Sequence, residues 1–312
     1  MTYIGSYRGL ERKLVERHNL PFEPVISGKL RRYFSFRNFI DFIKLPFALI
    51  QSFGRIIHLS PDIVFSKGGF VSLPVVVASW MWRVPVVIHE SDAKPGLTTK
   101  LSARFAKKIL LAYPSAEEGL ENYKQKLEIV GNPIRQEIIE GDPELAKRIT
   151  GFEGERPVLL VMGGSSGSAQ LNQIIKEEKE RLIESFDVIH ITGAIHSEPK
   201  AEDHYWSAGF LHDEMSAIYA LATHVMSRAG ANTLAELEAL QMPSLLYPLG
   251  LHQSRGDQIL NANYMANKHD FINVADEEKA AHTQLLLLPN RERKKAESHV
   301  ARHIAGMLLD LP

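Results

Sequence analysis

Short runs of apolar, often β-branched residues recur along the whole chain, each separated from the next by a longer amphipathic segment. They are Ile63-Val64-Phe65, Val84 to Ile88, Ile109 to Leu111, Glu128-Ile129-Val130, Val158 to Met162, Val188 to Ile191, His224-Val225-Met226 and Ser244 to Tyr247. Runs this short, apolar throughout rather than at alternate positions, suit parallel strands covered on both faces. Parallel strands need long crossover connections, and the amphipathic segments between the runs supply them as helices. The pattern predicts an α/β protein built of open, doubly wound sheets.

Two of the runs lead into glycine. Val64-Phe65-Ser66-Lys67-Gly68-Gly69-Phe70-Val71-Ser72 and Leu160-Val161-Met162-Gly163-Gly164-Ser165-Ser166-Gly167-Ser168 are strand–glycine–helix units, one in each half. They read as counterparts in two similar domains. The polar stretch from Gly131-Asn132-Pro133-Ile134-Arg135 to Gly154-Glu155-Arg156-Pro157 holds the boundary, so domains of 1–134 and 135–312 are expected. The tail from Arg291 to Leu311 is helical in pattern.

Ligands of open α/β sheets bind beyond the carboxyl ends of the strands. Glycines there let backbone N–H groups approach a phosphate, and the next helix adds its positive N-terminus. Neither loop has the G-x-G-x-x-G spacing or a P-loop lysine, which disfavours dinucleotide dehydrogenases and P-loop NTPases. A tight structural turn accounts for either loop equally well when it is taken alone.

The chain from Ser227 to Ala262 narrows the ligand. Ser227-Arg228-Ala229-Gly230-Ala231-Asn232-Thr233-Leu234-Ala235-Glu236 reads as a strand end, a small-residue turn and a helix start. The turn leaves N–H groups free to face an anion. Glu236 falls inside the new helix, where a carboxylate can accept two hydrogen bonds from a vicinal diol such as a ribose. Asp257 and Gln258 open the next helix with groups suited to sugar hydroxyls. Diphosphate, ribose and sugar are the parts of a nucleotide-sugar. A capped helix with a solvated Glu236 and a polar turn is the plainer alternative for each half.

This segment resembles the C-terminal half of the undecaprenyl-diphospho-muramoylpentapeptide β-N-acetylglucosaminyltransferases, which convert lipid I to lipid II in peptidoglycan synthesis. The likeness is strongest from Tyr3 to Arg135 and from Pro157 to Ala262. It implies the GT-B arrangement of two Rossmann-like domains with the active cleft between them. It also implies inverting transfer of N-acetylglucosamine from UDP-GlcNAc to the 4-hydroxyl of the lipid-linked muramoyl-pentapeptide.

UDP-GlcNAc is then a substrate, and no cofactor or metal is expected; the D-x-D motif of metal-using transferases is absent from the sequence. The donor residues implied are Arg135 at the domain junction, the loop of Gly164, Ser165 and Gly167, and Phe210 and Leu211 at the uracil. Arg228, Gly230 and Thr233 are implied at the diphosphate, Glu236 at the ribose, and Asp257 and Gln258 at the sugar. On the acceptor side the resemblance implies Gly68, Gly69 and His89. Glu90 and Asp92 are the candidates for the general base, because the family's usual histidine lies on a strand–glycine-loop–helix unit that would precede Tyr3. A chain without that unit is expected to bind donor better than it turns over.

Composition limits the partners. A formal net charge of −1 gives no basic field for nucleic acid. With no cysteine, disulfides, thiolate zinc sites and cysteine nucleophiles are excluded. The longest apolar run, Leu73 to Trp82, is far short of the ~20 residues of a membrane span. Between Gly28 and Phe47, however, Lys29, Arg31, Arg32, Arg37 and Lys44 face a single acid, Asp41, and are interleaved with Tyr33, Phe34, Phe36, Phe39, Phe42 and Phe47. This suits the interface of an anionic membrane, and so a peripheral position on its cytoplasmic face. A helix with Phe36, Phe39, Ile40 and Ile43 turned to the core fits the same residues. Two further readings are a UDP-sugar 2-epimerase of the same plan and a non-catalytic UDP-sugar-binding remnant.

Overall fold

The computed structural model describes the chain except residues 8–10, 27–35, 165–166, 194–197, 252–253, 255, 291–298 and 312, and except the side chains of 13 and 36–43 within helices. It divides into two compact units, Met1–Gly131 with His303–Pro312, and Asn132–Arg302.

The first unit opens with a parallel pair, β1 (Tyr3–Ser6) and β2 (Phe22–Val25), in which Tyr3 lies opposite Phe22 and Ser6 opposite Val25. Gln51, on the helix Phe36–Leu59, fastens this pair: its Oε1 accepts from Ile26 N at 2.8 Å, and its Nε2 donates to the Tyr7 hydroxyl at 2.7 Å. The second sheet is fully parallel, in the order β3 (Val64–Ser66), β4 (Val86–Glu90), β5 (Lys108–Leu111) and β6 (Leu127–Ile129). Every residue of β4 is buried: Val86, Val87 and Ile88 as their apolar run predicts, and His89 and Glu90 beyond it. Val86, Ile88, Ile109 and Leu111 pack with Val76, Ala103, Ala116 and Leu120 into the core of this sheet. The terminal helix Val300–Leu309 contributes His303, whose Nε2 lies 3.6 Å from Glu128 in β6.

The second unit holds one seven-stranded sheet in the order β13-β12-β11-β7-β8-β10-β9. Its strands are β7 (Val158–Met162), β8 (Asp187–Ile191), β9 (Lys200–Glu202), β10 (Tyr205–Ala208), β11 (His224–Ser227), β12 (Ser244–Leu246) and β13 (Ile272–Val274). All pairs are parallel except β9 with β10 at the edge. Leu159, Val161, Val188, Met226 and Leu245 pack with Leu171, Ile175 and Leu182 of the helix Ala169–Ser185. Each such side chain, fully buried, contributes about 1.5–3 kcal/mol.

The chain starts this sheet at its centre. From β7 it moves to β8 and beyond on one side, then returns to place β11, β12 and β13 on the other. The order therefore reverses between β7 and β11, and Met162 lies directly opposite Ser227 across that line. Such a switch point is where open α/β sheets bind ligands.

Candidate functional site

The loops after β7 and β11 leave the sheet side by side at the switch point, and they carry two of the glycine-containing segments singled out in the sequence, Gly163 to Gly167 and Gly230. Gly163 and Gly167 are required by the fold itself. A Cβ on Gly163 would lie 2.3 Å from Ser168 N, and one on Gly167 would lie 2.4 Å from Thr192 O at a φ of +70°. Gly164 differs: its φ is +80°, but no heavy atom lies within 4 Å of where its Cβ would be. Ser165 lies outside the described residues. The Ser168 hydroxyl accepts from Leu171 N at 3.3 Å and caps the helix that follows.

Across the switch point, Gly230 begins the helix Ala231–Leu240 with no side chain capping it. Its φ of −69° is open to any residue, and the nearest atom to a Cβ there is Thr233 Oγ1 at 3.9 Å. The uncapped first turn thus faces open space, which is the arrangement that favours an anion. Thr233 and Glu236 follow at successive three-residue steps on the same face.

Glu236 is partly buried. The fully buried Tyr219 donates its hydroxyl to Glu236 Oε2 at 2.9 Å, while Oε1 takes no donor among the described residues. Burial raises the pKa of Glu236, opposed by the Tyr219 bond and by the charge of Arg135. The same burial, with the carboxylate beside it, holds Tyr219 well above its ordinary value and so protonated as the donor. Arg135 is exposed and opens the short helix Gln136–Ile139.

Arg228 is nearly buried. Its Nη1 donates to Gln170 Oε1 at 2.6 Å and to Tyr247 O at 2.9 Å, which ties the β11 loop to the helix after β7. Nε and Nη2 meet no acceptor among the described residues, so part of the fork stays available. Gln258, in the first turn of the helix Asp257–Lys268, accepts from Leu249 N at 3.0 Å through Oε1. Its Nε2 donor takes no acceptor among the described residues. Asp257 precedes it, half-buried. Phe210 and Leu211 are half-buried in the loop after β10, with the Phe210 ring edge-on to His212 at 4.5 Å. Gln170 and Tyr219 are the residues sequence reasoning missed. Nothing in their local pattern marks them, because their partners are 58 and 17 residues away.

In the first unit Gly68 and Gly69 follow β3 with φ of +83° and +86°, and lead into the helix Ser72–Met81. His89 and Glu90 end β4 beside them. His89 is fully buried with both ring nitrogens engaged: Nε2 is 2.9 Å from Gly131 O and Nδ1 is 2.9 Å from Lys67 Nζ. A carbonyl can only accept, so Nε2 carries the proton and the ring is neutral. Burial first, and then the Lys67 charge, push its pKa down to about 4. Glu90 accepts from Asp92 N at 3.2 Å, Gly96 N at 2.9 Å and the Thr99 hydroxyl at 2.6 Å. Both of its oxygens therefore hold the turn into the helix Leu97–Ser102. Asp92 is half-buried at the same turn.

The basic-aromatic segment lies largely outside the described residues. What is described is the far end of its helix, where Phe47 and Ile50 are 60% and 71% exposed. Trp80 and Trp82, at the end of the helix Ser72–Met81, are 53% and 49% exposed, and Trp82 meets Phe53 edge-on at 5.7 Å. No described helix is long and apolar enough to cross a membrane. Among the described residues no group of three or more His, Asp or Glu gathers as a metal site requires.

Residues 1–111 match the glycosyltransferase family 28 N-terminal domain, and residues 158–304 match the family's C-terminal domain. A relative from Legionella pneumophila, strain Lens, is 40% identical over 299 residues, 95% of this chain and 82% of its own. It is named UDP-N-acetylglucosamine–N-acetylmuramyl-(pentapeptide) pyrophosphoryl-undecaprenol N-acetylglucosamine transferase. Among solved structures, Acinetobacter baumannii MurG superposes with a TM-score of 0.66 at 19% identity, covering 99% of this chain and 90% of that one. The UDP-GlcNAc 2-epimerase of Methanocaldococcus jannaschii superposes with a TM-score of 0.64 at 13% identity, covering 96% and 89%, a likeness of fold alone. With both of its domains matched and sequence identity extending over nearly the whole chain, this GT-B protein belongs to glycosyltransferase family 28.

Proposed function

We propose that the protein transfers N-acetylglucosamine from UDP-GlcNAc to the 4-hydroxyl of undecaprenyl-diphosphate-linked muramoyl-pentapeptide, with inversion at the anomeric carbon. One observation carries this reading: at the switch point an uncapped helix N-terminus and a half-buried carboxylate share the face of one helix, in a chain 40% identical to a transferase so named. The loop of Gly164, Ser165 and Gly167, with Gly230, Thr233 and the open edge of Arg228, receives the diphosphate. Glu236 receives the ribose diol, Phe210 and Leu211 the uracil, and Asp257 and Gln258 the sugar hydroxyls, with Arg135 lending charge nearby. The first unit receives the acceptor at Gly68 and Gly69, with His89 acting from beneath.

The acceptor hydroxyl attacks the anomeric carbon as the bond to UDP breaks. Backbone N–H groups and Arg228 then stabilise the charge that develops on the leaving diphosphate, a preorganised arrangement that needs no movement at the moment of reaction. Proton removal falls to one of the two carboxylates at the turn after β4, Glu90 or Asp92, and Glu90 already holds that turn through both oxygens. Incubation with UDP-GlcNAc, with and without a lipid I analogue, tests the reading. Disaccharide product and UDP are expected only when the acceptor is present. UDP-sugar epimerised at C2, formed without acceptor, would establish the epimerase reading, and binding without any product would establish a non-catalytic one.

The protein is further proposed to sit peripherally on the cytoplasmic face of the membrane, where such an acceptor would be met. Exposed Phe47, Ile50, Trp80 and Trp82 offer the amphipathic and apolar groups an interface takes up, and the basic run from Lys29 to Lys44 adds attraction to anionic lipid. Sedimentation with phosphatidylglycerol vesicles is expected to fall as salt rises and to drop in a Trp80→Ser, Trp82→Ser double variant. Equal binding to neutral and anionic vesicles would remove the electrostatic part.

A further inference from the structure

Lys67 is a cation at the first glycine loop with no carboxylate in contact with its ammonium among the described residues. It follows β3 and immediately precedes Gly68 and Gly69. Its Nζ lies 2.9 Å from His89 Nδ1 and 3.0 Å from Ser91 Oγ. Both partners are neutral: Ser91 is a hydroxyl, and the bond from His89 Nε2 to Gly131 O leaves a lone pair, not a proton, on Nδ1. Among the described residues no carboxylate oxygen comes within 4.0 Å of Nζ, although Glu90 and Asp92 attract it from farther away.

The third N–H of the ammonium has no acceptor among the described residues. The glycine loop that follows is itself uncrowded: a Cβ on Gly69 would meet no atom within 4 Å, and one on Gly68 would meet only Thr99 Oγ1, at 4.0 Å. The residue as a whole is exposed, yet the protein packed around its ammonium end outweighs the two acids and takes its pKa down to about 8. A charge held by two neutral groups, with one donor still unmatched among the described residues and an uncrowded glycine loop next in the chain, is the complement of an anion. A brace for the turn would gain more from an ion pair with Asp92 or Glu90, and Glu90 is instead committed to Thr99 and two backbone amides.

We propose that Lys67 is a positioning residue that supplies the counter-charge to the diphosphate of the lipid-linked acceptor, held in place by His89 and Ser91. The ligand class is a prenyl diphosphate ester. The proposal rests on the acceptor reading of the first unit given above.

Two measurements test it. The first needs no turnover. At pH 8 an amine of this lowered pKa is partly unprotonated and acylates readily, so Lys67 labelling by an N-hydroxysuccinimide acetate can be followed by mass spectrometry with the exposed Lys94 as internal reference. Geranyl diphosphate is expected to slow labelling of Lys67 at least fivefold, and more than inorganic diphosphate or geraniol does, with Lys94 unchanged. No protection, or equal protection by inorganic diphosphate, would overturn the assignment. The second is steady-state transfer. Lys67→Gln keeps a donor for His89 Nδ1, and is expected to raise the acceptor KM tenfold or more while the KM for UDP-GlcNAc stays within twofold; Lys67→Arg should recover most of the loss. An unchanged acceptor KM, or an equal rise in both constants, would overturn it. If the unaltered protein transfers no sugar at all, the transferase reading fails, and the labelling result still decides whether Lys67 faces a prenyl diphosphate.

Discussion

Glu236→Ala is expected to weaken UDP binding by about 1–3 kcal/mol, a factor of roughly 5 to 150 in the dissociation constant, the range for hydrogen bonds to a charged group. The variant also leaves the Tyr219 hydroxyl, buried in the interior, without its 2.9 Å acceptor, so a small loss of stability should accompany it. Glu236→Gln separates the two effects. Its carbonyl can still accept from Tyr219, while one acceptor and the charge are lost to the ribose. Calorimetry should therefore place Gln between the unaltered protein and Ala in affinity, but close to the unaltered protein in melting temperature. The sharper comparison is with 2′-deoxy-UDP. The unaltered protein should discriminate against it, and Glu236→Ala should not; a variant that keeps the discrimination would take Glu236 out of the ribose role. Gly230→Ala serves as the companion. Its Cβ meets nothing closer than 3.9 Å, so the protein should fold as before and any loss of UDP affinity reports on space the diphosphate needs.

Acid should destabilise both units from about pH 6.5 downward. His89 and His190 are buried and neutral, each with its pKa lowered from 6.5 to about 4. At His190 the cause is burial, with Nδ1 bonded to the Tyr205 hydroxyl and Nε2 to Asn172 Oδ1, each at 2.9 Å. Above pH 6.5 neither the folded nor the unfolded chain protonates these rings. Below it the unfolded chain takes up protons that the folded chain refuses until about pH 4. The stability present above pH 6.5 is therefore lost progressively across that window, on the order of 3 kcal/mol for each histidine. His224, also lowered by burial, adds in the same direction. Urea titrations at pH 7.5 and 4.5, followed through Trp206 in the second unit, should show the fall, and His190→Gln should flatten it. A variant whose stability falls with pH as steeply as the unaltered protein's would show that His190 titrates normally.

The strands legible in the sequence are those the interior dictates. β4, β5, β7, β8, β11 and β12 are runs that solvent would reject, and burial fixes them to within a residue or two of their apolar limits. β10 escaped notice although it is largely buried, because Tyr205-Trp206-Ser207-Ala208 is short and not an apolar run, while β9 and β2 escaped it because burial is not in charge there. β9 reads Lys200-Ala201-Glu202, is exposed throughout and exists only by pairing antiparallel to β10 at the sheet edge. β2 contains Glu23 and Pro24, residues a strand pattern does not select for.

The site divides in the same way. Glycine spacing and the helix start at Gly230 are local, so they could be read from the chain. Tyr219 under Glu236, Gln170 on Arg228 and Lys67 on His89 are meetings of distant segments, and only the sheet order brings them together.

That order also sets when a donor site can exist during folding. β7, β8 and β10 are neighbours by short connections and can assemble among themselves, but the loop bearing Gly230 arrives only when β11 docks on the other edge of β7, with Ser227 brought opposite Met162 across 65 residues of chain. Closing so long a loop costs entropy before any contact repays it. A partly assembled sheet therefore offers one of the two switch-point loops and lacks the helix of Gly230 and Glu236. In the donor role proposed above, a nucleotide spanning both flanks would recognise the completed sheet alone, and by mass action would hold closed the seam on which its own binding depends.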